Sequence, residues 1–121
     1  MEISFTVLGN LPRKSNSRRI FRNRRTGQMI LVKSAPALDY QESFISQTAQ
    51  IPKGKFQEKQ PLSITLNIYY QSRRSDLSDE LFCDMLQMAQ IIYNDRQITE
   101  KHLYHHIDRN NPRVEATISS L

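Results

Sequence analysis

Asp76, Glu80 and Asp84 follow one another at four-residue steps, and Asp95 stands apart further along the chain. With Asp79 they make five of the twelve carboxylates, gathered between residues 76 and 95. Residues four apart on a helix are offset by about 40°, so Asp76, Glu80 and Asp84 read as one acidic stripe. Neighbouring carboxylates repel and raise one another's pKa unless a cation or a basic group lies between them. A hard divalent ion, Mg2+ or Mn2+, relieves that repulsion, because it takes oxygen ligands from a few carboxylates and keeps positions for water and phosphate. The opposing reading is that acids in a first helical turn offset the helix dipole and are simply solvated. Asp95 weighs toward metal: it lies in Ile91 to Ile98, a polar turn between an apolar run and the next strand, a second element that can carry an acid back to the helix start. Asp79, on the other side of Asp76, reads as a solvated acid.

A metal-held water attacking a phosphodiester is the chemistry such a set supports, and the charge of the chain suits that substrate. The first 33 residues carry eight Lys/Arg against one acid, and the whole chain has a net charge of +5 with a pI near 9.6. Such a balance favours polyanionic partners. Lys14, Arg18, Arg19, Arg22, Arg24 and Arg25 crowd one loop and hairpin, and Arg73 and Arg74 directly precede the acids. These read as DNA contacts that displace counterions. A solvated basic edge is the alternative for the hairpin, and pairing with Asp76 or Asp79 the alternative for Arg73 and Arg74. Phe21 reads either as a wedge against bases or as a core residue.

The elements that must position these groups are legible from periodicity. Ile3, Phe5 and Val7 alternate with polar residues as a half-buried strand does, and Gly9-Asn10 breaks it. Leu11 to Ser17 reads as a loop. Arg19 to Asn23 and Met29 to Val32 flank Arg24-Arg25-Thr26-Gly27, a hairpin turn. Ser34 is placed to cap a helix with Ala35-Pro36 in its first turn and Leu38, Phe44, Ile45 and Ala49 facing the core, ended by Pro52-Lys53-Gly54. Leu62 to Tyr70 is the clearest strand. Leu77, Leu81, Met85 and Met88 recur at helical spacing, with Phe82, Leu86 and Ala89 widening the face and Ser75 as N-cap. Ile98 to Asp108 and Arg113 to Ser119 read as a final strand pair around Arg109 to Pro112.

These elements fit one small domain spanning residues 1–121, of α+β class, with a mixed β-sheet and two main helices. Hydrophobic residues are 38% and mean hydropathy is −0.60, low enough that a dimer interface is expected to supplement the core. Cys83 is the only cysteine, so no intrachain disulfide and no Cys-rich zinc site can form. His102, His105 and His106 match no structural zinc spacing and read as surface or DNA-contacting residues. No apolar run approaches the roughly 20 residues of a membrane span, and the start lacks a signal-peptide pattern. A cytoplasmic protein with no membrane partner is expected.

Arg73-Arg74-Ser75-Asp76-Leu77, an apolar helix, then Asn94-Asp95-Arg96-Gln97-Ile98 resembles the RusA-type Holliday-junction resolvases, whose pattern runs R-x-D-L-D-N-x-x-K, helix, D-D-x-Q-[VI]. The first strand with its loop Leu11-Pro12-Arg13-Lys14-Ser15-Asn16-Ser17, and a serine-started helix with an early Tyr40, are similar to that family too. The resemblance covers nearly the whole chain in element order, with its specific part in residues 73–98. It implies a homodimer that cuts four-way DNA junctions with Mg2+ (or Mn2+), and no small-molecule substrate. Asp95 matches the last of the family's three aspartates and Asp76 one of the first two. Keyed on Asp-Leu, Ser78 replaces the second acid; counted back from Asp95, Arg74 stands at the first and Glu80 at the lysine. One family aspartate and the lysine are absent in either register. Glu80, one turn past Asp76, is expected to reach the same ion, with Asp84 a further turn away, and Lys101 to stand in for the lysine. The implied metal set is Asp76, Glu80, Asp84 and Asp95; Asp76, Glu80, Asp95 and Lys101 carry catalysis. Lys14, Asn16 and the arginines above grip DNA. The second reading is a junction-binding protein of the same descent that has lost cleavage.

Overall fold

A computed structural model of the chain describes residues 1–13, 18–73 and 76–121, with the backbone alone for 18–21, 30 and 31. In chain order its elements are β1 (Glu2–Leu8), β2 (Arg18–Arg22), β3 (Met29–Lys33), α1 (Ala35–Gln47), β4 (Leu62–Tyr70), α2 (Glu80–Met88), a 3-10 turn (Asp95–Gln97), β5 (Ile98–Ile107) and β6 (Arg113–Ser120). Four strands form a mixed sheet in the order β1-β6-β4-β5, and β2 and β3 pair separately as a hairpin. This is the expected α+β arrangement with two helices.

Strand β4 sits inside the sheet because both of its edges are paired, antiparallel to β6 and parallel to β5. A parallel neighbour requires a long crossover, and α2 supplies it. Strands β5 and β6 are therefore not partners of each other, contrary to the pairing expected from their adjacency in sequence. Their connection crosses the end of β4, where the Asp108 N–H donates to the Tyr70 carbonyl at 2.9 Å. Paired on both edges, β4 buries Leu62, Ile64, Leu66, Ile68 and Tyr70 along its whole length.

One face of β4 and β6 is dry. Ile64, Leu66 and Ile68 of β4 lie level with Ile118, Ala116 and Val114 of β6, and both helices cover them. Phe5 of β1, Phe44 of α1 and Phe82 of α2 lock the layers: Phe5 stacks on Phe82 at 6.3 Å between ring centres, and Phe44 meets Phe82 edge-on at 5.2 Å. The opposite face carries Thr65, Asn67 and Tyr69, half-buried among polar neighbours.

Ser34 caps α1 as its position predicts, its side chain accepting from the Ala37 N–H at 3.3 Å. The buried stripe of α1 is Ala37, Tyr40 and Phe44, however. Leu38 and Ile45 are 48% and 45% exposed and Ala49 is exposed too. The helix carries two apolar stripes, and docking against the sheet buries only the one that includes Phe44 and Tyr40.

Helix α2 begins at Glu80, with Asp79 in the N-cap position. Ser75, expected to cap it, lies outside the described residues. Residues 76–78 are held off the helix by Tyr70, whose hydroxyl donates to the Asp76 carbonyl at 3.1 Å and accepts from the Ser78 N–H at 3.3 Å. Leu77 is accordingly exposed, and the buried face of α2 is Phe82, Cys83, Met85 and Leu86, with Met88 exposed. The helix ends in a Schellman arrangement: Ile91 N–H donates to Leu86 O and Gln90 N–H to Gln87 O, with Gln90 at φ 60°.

Candidate active site: an ion pair among acids

The α2 N-cap position sets the centre of the site. Asp79 Oδ2 receives Lys101 Nζ at 2.7 Å and the Cys83 thiol, one turn along the helix, at 3.3 Å. Lys101 stands on β5 level with Ile64, on the helix-covered side of the sheet. The carboxylate side chain of Asp79 is only 14% exposed against 44% for the lysine. Desolvation pushes the Asp79 carboxyl up, but the hydrogen bonds from Lys101 and Cys83 and the lysine's charge outweigh it and hold it below its ordinary value. The same hydrogen bond raises Lys101 above the usual lysine value, against its own desolvation. Burial, and then Asp79, push the Cys83 thiol up to about 12, so it stays protonated.

Asp79 reads from the sequence as a solvated acid; it is instead part-buried and bonded to Lys101 and Cys83. The helical-wheel argument placed Asp76 on α2, whereas the helix starts after it. Removing that turn puts Asp79 at the helix mouth, facing β5. An aspartate immediately before an apolar-periodic run is an N-cap signal, and that signal was available in the sequence. The missing information was the partner strand.

Asp95 approaches from the other end. Its backbone N–H donates to Gln87 Oε1 at 3.1 Å, on the side of α2 that also carries Cys83 and Asp84. The negative charge of Asp95 acts on both Lys101 and Cys83, so it shares one electrostatic neighbourhood with Asp79. Asp76 and Asp79 both act on Tyr70. Asp79 thus links the two acids, with Lys101 beside it.

The turn bearing Asp95 is rigidly built. Asn94 accepts from the Arg96 N–H at 2.9 Å and forms a capping box with Gln97. The buried Gln97 side chain accepts from the N–H groups of Tyr93 and Asn94 and donates to the carbonyls of Gln57 and Gln60, at 2.8–3.1 Å. A single amide therefore fixes the turn against the loop before β4. Asn followed three residues later by Gln is a readable capping-box pattern, but its reach to residues 57 and 60 is not.

Glu80 is exposed in the first turn of α2 and Asp84 half-buried one turn on, so of the expected stripe these two alone share the helix. Among the described residues, no three His, Cys, Asp or Glu side chains are gathered into a metal-holding group. The donors around Lys101 are carboxylate oxygens beside a protonated thiol, a set suited to a hard divalent ion and not to a soft one. Of the expected DNA contacts, Arg22, Arg24, Arg25 and Arg73 are exposed. Arg18 and Arg19 lie on β2, paired with Lys33 and Val32. Lys14, Asn16 and Arg74 lie outside the described residues. His102 pairs with Glu100 at 2.6 Å, and His106 stacks on Tyr69 and meets Asn67 at 2.8 Å.

No family model matches the chain, and no curated protein matches it either.

Proposed function

We propose that the protein is a metal-dependent, structure-selective DNA endonuclease that resolves four-way junctions by paired phosphodiester hydrolysis, in the manner of the RusA-type resolvases its sequence resembles. The observation that carries this reading is the Lys101–Asp79 contact at 2.7 Å with the charge of Asp95 acting on the same ammonium. The resemblance leaves one aspartate and one lysine unaccounted for. Asp79, beside the Ser78 that stands at the second acidic place in the register keyed on Asp-Leu, supplies the acid, and Lys101 supplies the cation from β5.

In this reading Asp76, Asp79 and Asp95 hold Mg2+ or Mn2+, with Glu80 and Asp84 at the margin. Such an ion, when bound, activates water and stabilises the departing oxygen. Lys101 limits the mutual repulsion of the acids and stands ready to pair with phosphate when a carboxylate turns to its ligand. Two opposed cuts require two sites, hence a homodimer; the exposed Leu38 and Ile45 of α1 offer apolar surface for it.

The second reading, a junction binder without cleavage, is favoured by the engagement of Asp79 with both Lys101 and Cys83. Incubation with a synthetic four-way junction in Mg2+ or in EDTA separates the two. Paired nicks that require metal are expected; a salt-sensitive band shift with no nick under any metal sinks the enzyme reading.

A further inference from the structure

Three loops meet at the end of the sheet where β4 finishes, and between them lies an open polar hollow of about 430 Å3 lined by Asn10, Arg13, Gln71, Ser72 and Arg109. Backbone bonds hold the loops together. Gly9, at φ +114°, turns the chain off β1 and donates to Pro112 O at 2.9 Å. Asn10 Oδ1 accepts from the Gln71 N–H at 2.8 Å. The Asp108 N–H on Tyr70 O completes the ring. The cavity is therefore walled by fixed backbone and not by one mobile loop.

Among the described residues, two arginines and no Asp or Glu line it, and Asp39 lines the adjoining hollow that shares Asn10 and Arg13. Asp108 and Glu115 are both engaged by one other arginine: Arg113 Nη1 binds Asp108 Oδ2 and Arg113 Nε binds Glu115 Oε2, each at 2.9 Å. Asp108 also receives the N–H groups of Asn110 and Asn111. Among the described residues neither Arg13 nor Arg109 enters an ion pair. With the Asn10 oxygen committed to Gln71, the free end of that amide is a donor. Converging donors and two unneutralised arginine forks describe a receptor for a tetrahedral oxyanion.

We propose that this cavity seats a backbone phosphate of the DNA, clamped between Arg13 and Arg109. The proposal deepens the nuclease reading and takes its ligand from it. Ser72 is four residues from Asp76, at most about 14 Å of extended chain, so one DNA strand can occupy the cavity and still pass the acids. The clamp fixes the strand and takes no part in bond breaking.

The test is fluorescence anisotropy of a labelled four-way junction in EDTA, where cutting cannot interfere, across a salt series. Arg13→Ala/Arg109→Ala is expected to bind about tenfold more weakly and to lose about one unit of the log–log salt slope, the signature of one phosphate contact. Its thermal midpoint should stay at the wild-type value. Arg13→Lys/Arg109→Lys, which keeps the charge and loses the fork, should fall between, and it provides the comparison if the alanine pair folds poorly. Wild-type affinity and slope in both variants would overturn the proposal. So would inorganic phosphate displacing the junction at micromolar concentration, which would make the cavity a small-anion site. Lost affinity in the variants of a wild-type chain that never cuts in Mg2+ supports the phosphate seat and sinks the nuclease reading alone.

Discussion

Lys101 Nζ rests 2.7 Å from Asp79 Oδ2, so a cation on strand β5 is bonded to the residue at the N-cap position of helix α2. The pair ties the start of α2 to β5 and places a positive charge that both Asp79 and Asp95 act on.

That pair has a definite pH signature. Asp79 titrates lower in the folded chain than its ordinary 3.8, and Lys101 higher than its ordinary 10.5. The Asp79 contribution is present above the unfolded value and is lost as pH falls through the lower folded one. The Lys101 contribution is present below 10.5 and is lost as pH rises through the higher folded value. Lys101→Met is therefore expected to destabilise by roughly 1 kcal/mol between about pH 5 and pH 9, the lysine's exposure screening the rest. The deficit should shrink toward both extremes, as urea titrations across the range would read. A deficit that does not change with pH would remove the ion pair as its cause.

Asp79→Asn and Glu80→Gln separate the roles of adjacent acids. With junction DNA and Mg2+, Asp79→Asn and Asp95→Asn should each slow cutting by at least about a hundredfold (a loss of about 3 kcal/mol of transition-state stabilisation) while binding in EDTA persists. Glu80→Gln should slow it by less than about tenfold. The reverse order would restore Glu80 as the principal ligand.

Gln97→Ala deletes an amide that satisfies four backbone groups. A cost of about 2–4 kcal/mol is expected from the orphaned groups, measured by chemical denaturation. Cutting should fall further than stability explains, because the turn bearing Asp95 loses its anchor to residues 57 and 60. Full activity in a destabilised Gln97→Ala would show that the turn needs no such anchor.

Gln90 occupies a left-handed position that glycine takes without strain. Gln90→Gly should raise stability by about 0.5–1 kcal/mol and shift the urea midpoint upward with an unchanged slope. A lower midpoint would mean that the Gln90 side chain makes a compensating contact.

The short-range elements were readable from the residues alone. The alternation Leu62, Ile64, Leu66, Ile68, Tyr70 forecast β4 at its observed bounds. The Ser34-Ala35-Pro36 start of α1 and the Arg22 to Met29 hairpin depend on cap and turn chemistry among close neighbours, and both are found as read. Asp95 was marked as the acid of a second element, and the structure sets it in a turn that touches Gln87. Three features could be settled only by packing. Two apolar stripes compete on α1, and the sheet buries Tyr40 and Phe44 instead of Leu38 and Ile45. Strand β4 comes between β5 and β6, a matter of which edges close the core. The start of α2 moves to Glu80 because the Tyr70 hydroxyl, six and eight residues upstream, holds Asp76 and Ser78. From that shift follows the partnership of Asp79 with Lys101, twenty-two positions away. Periodicity can say that a carboxylate is present, but whether it is solvated or bonded depends on which strand the fold brings opposite it.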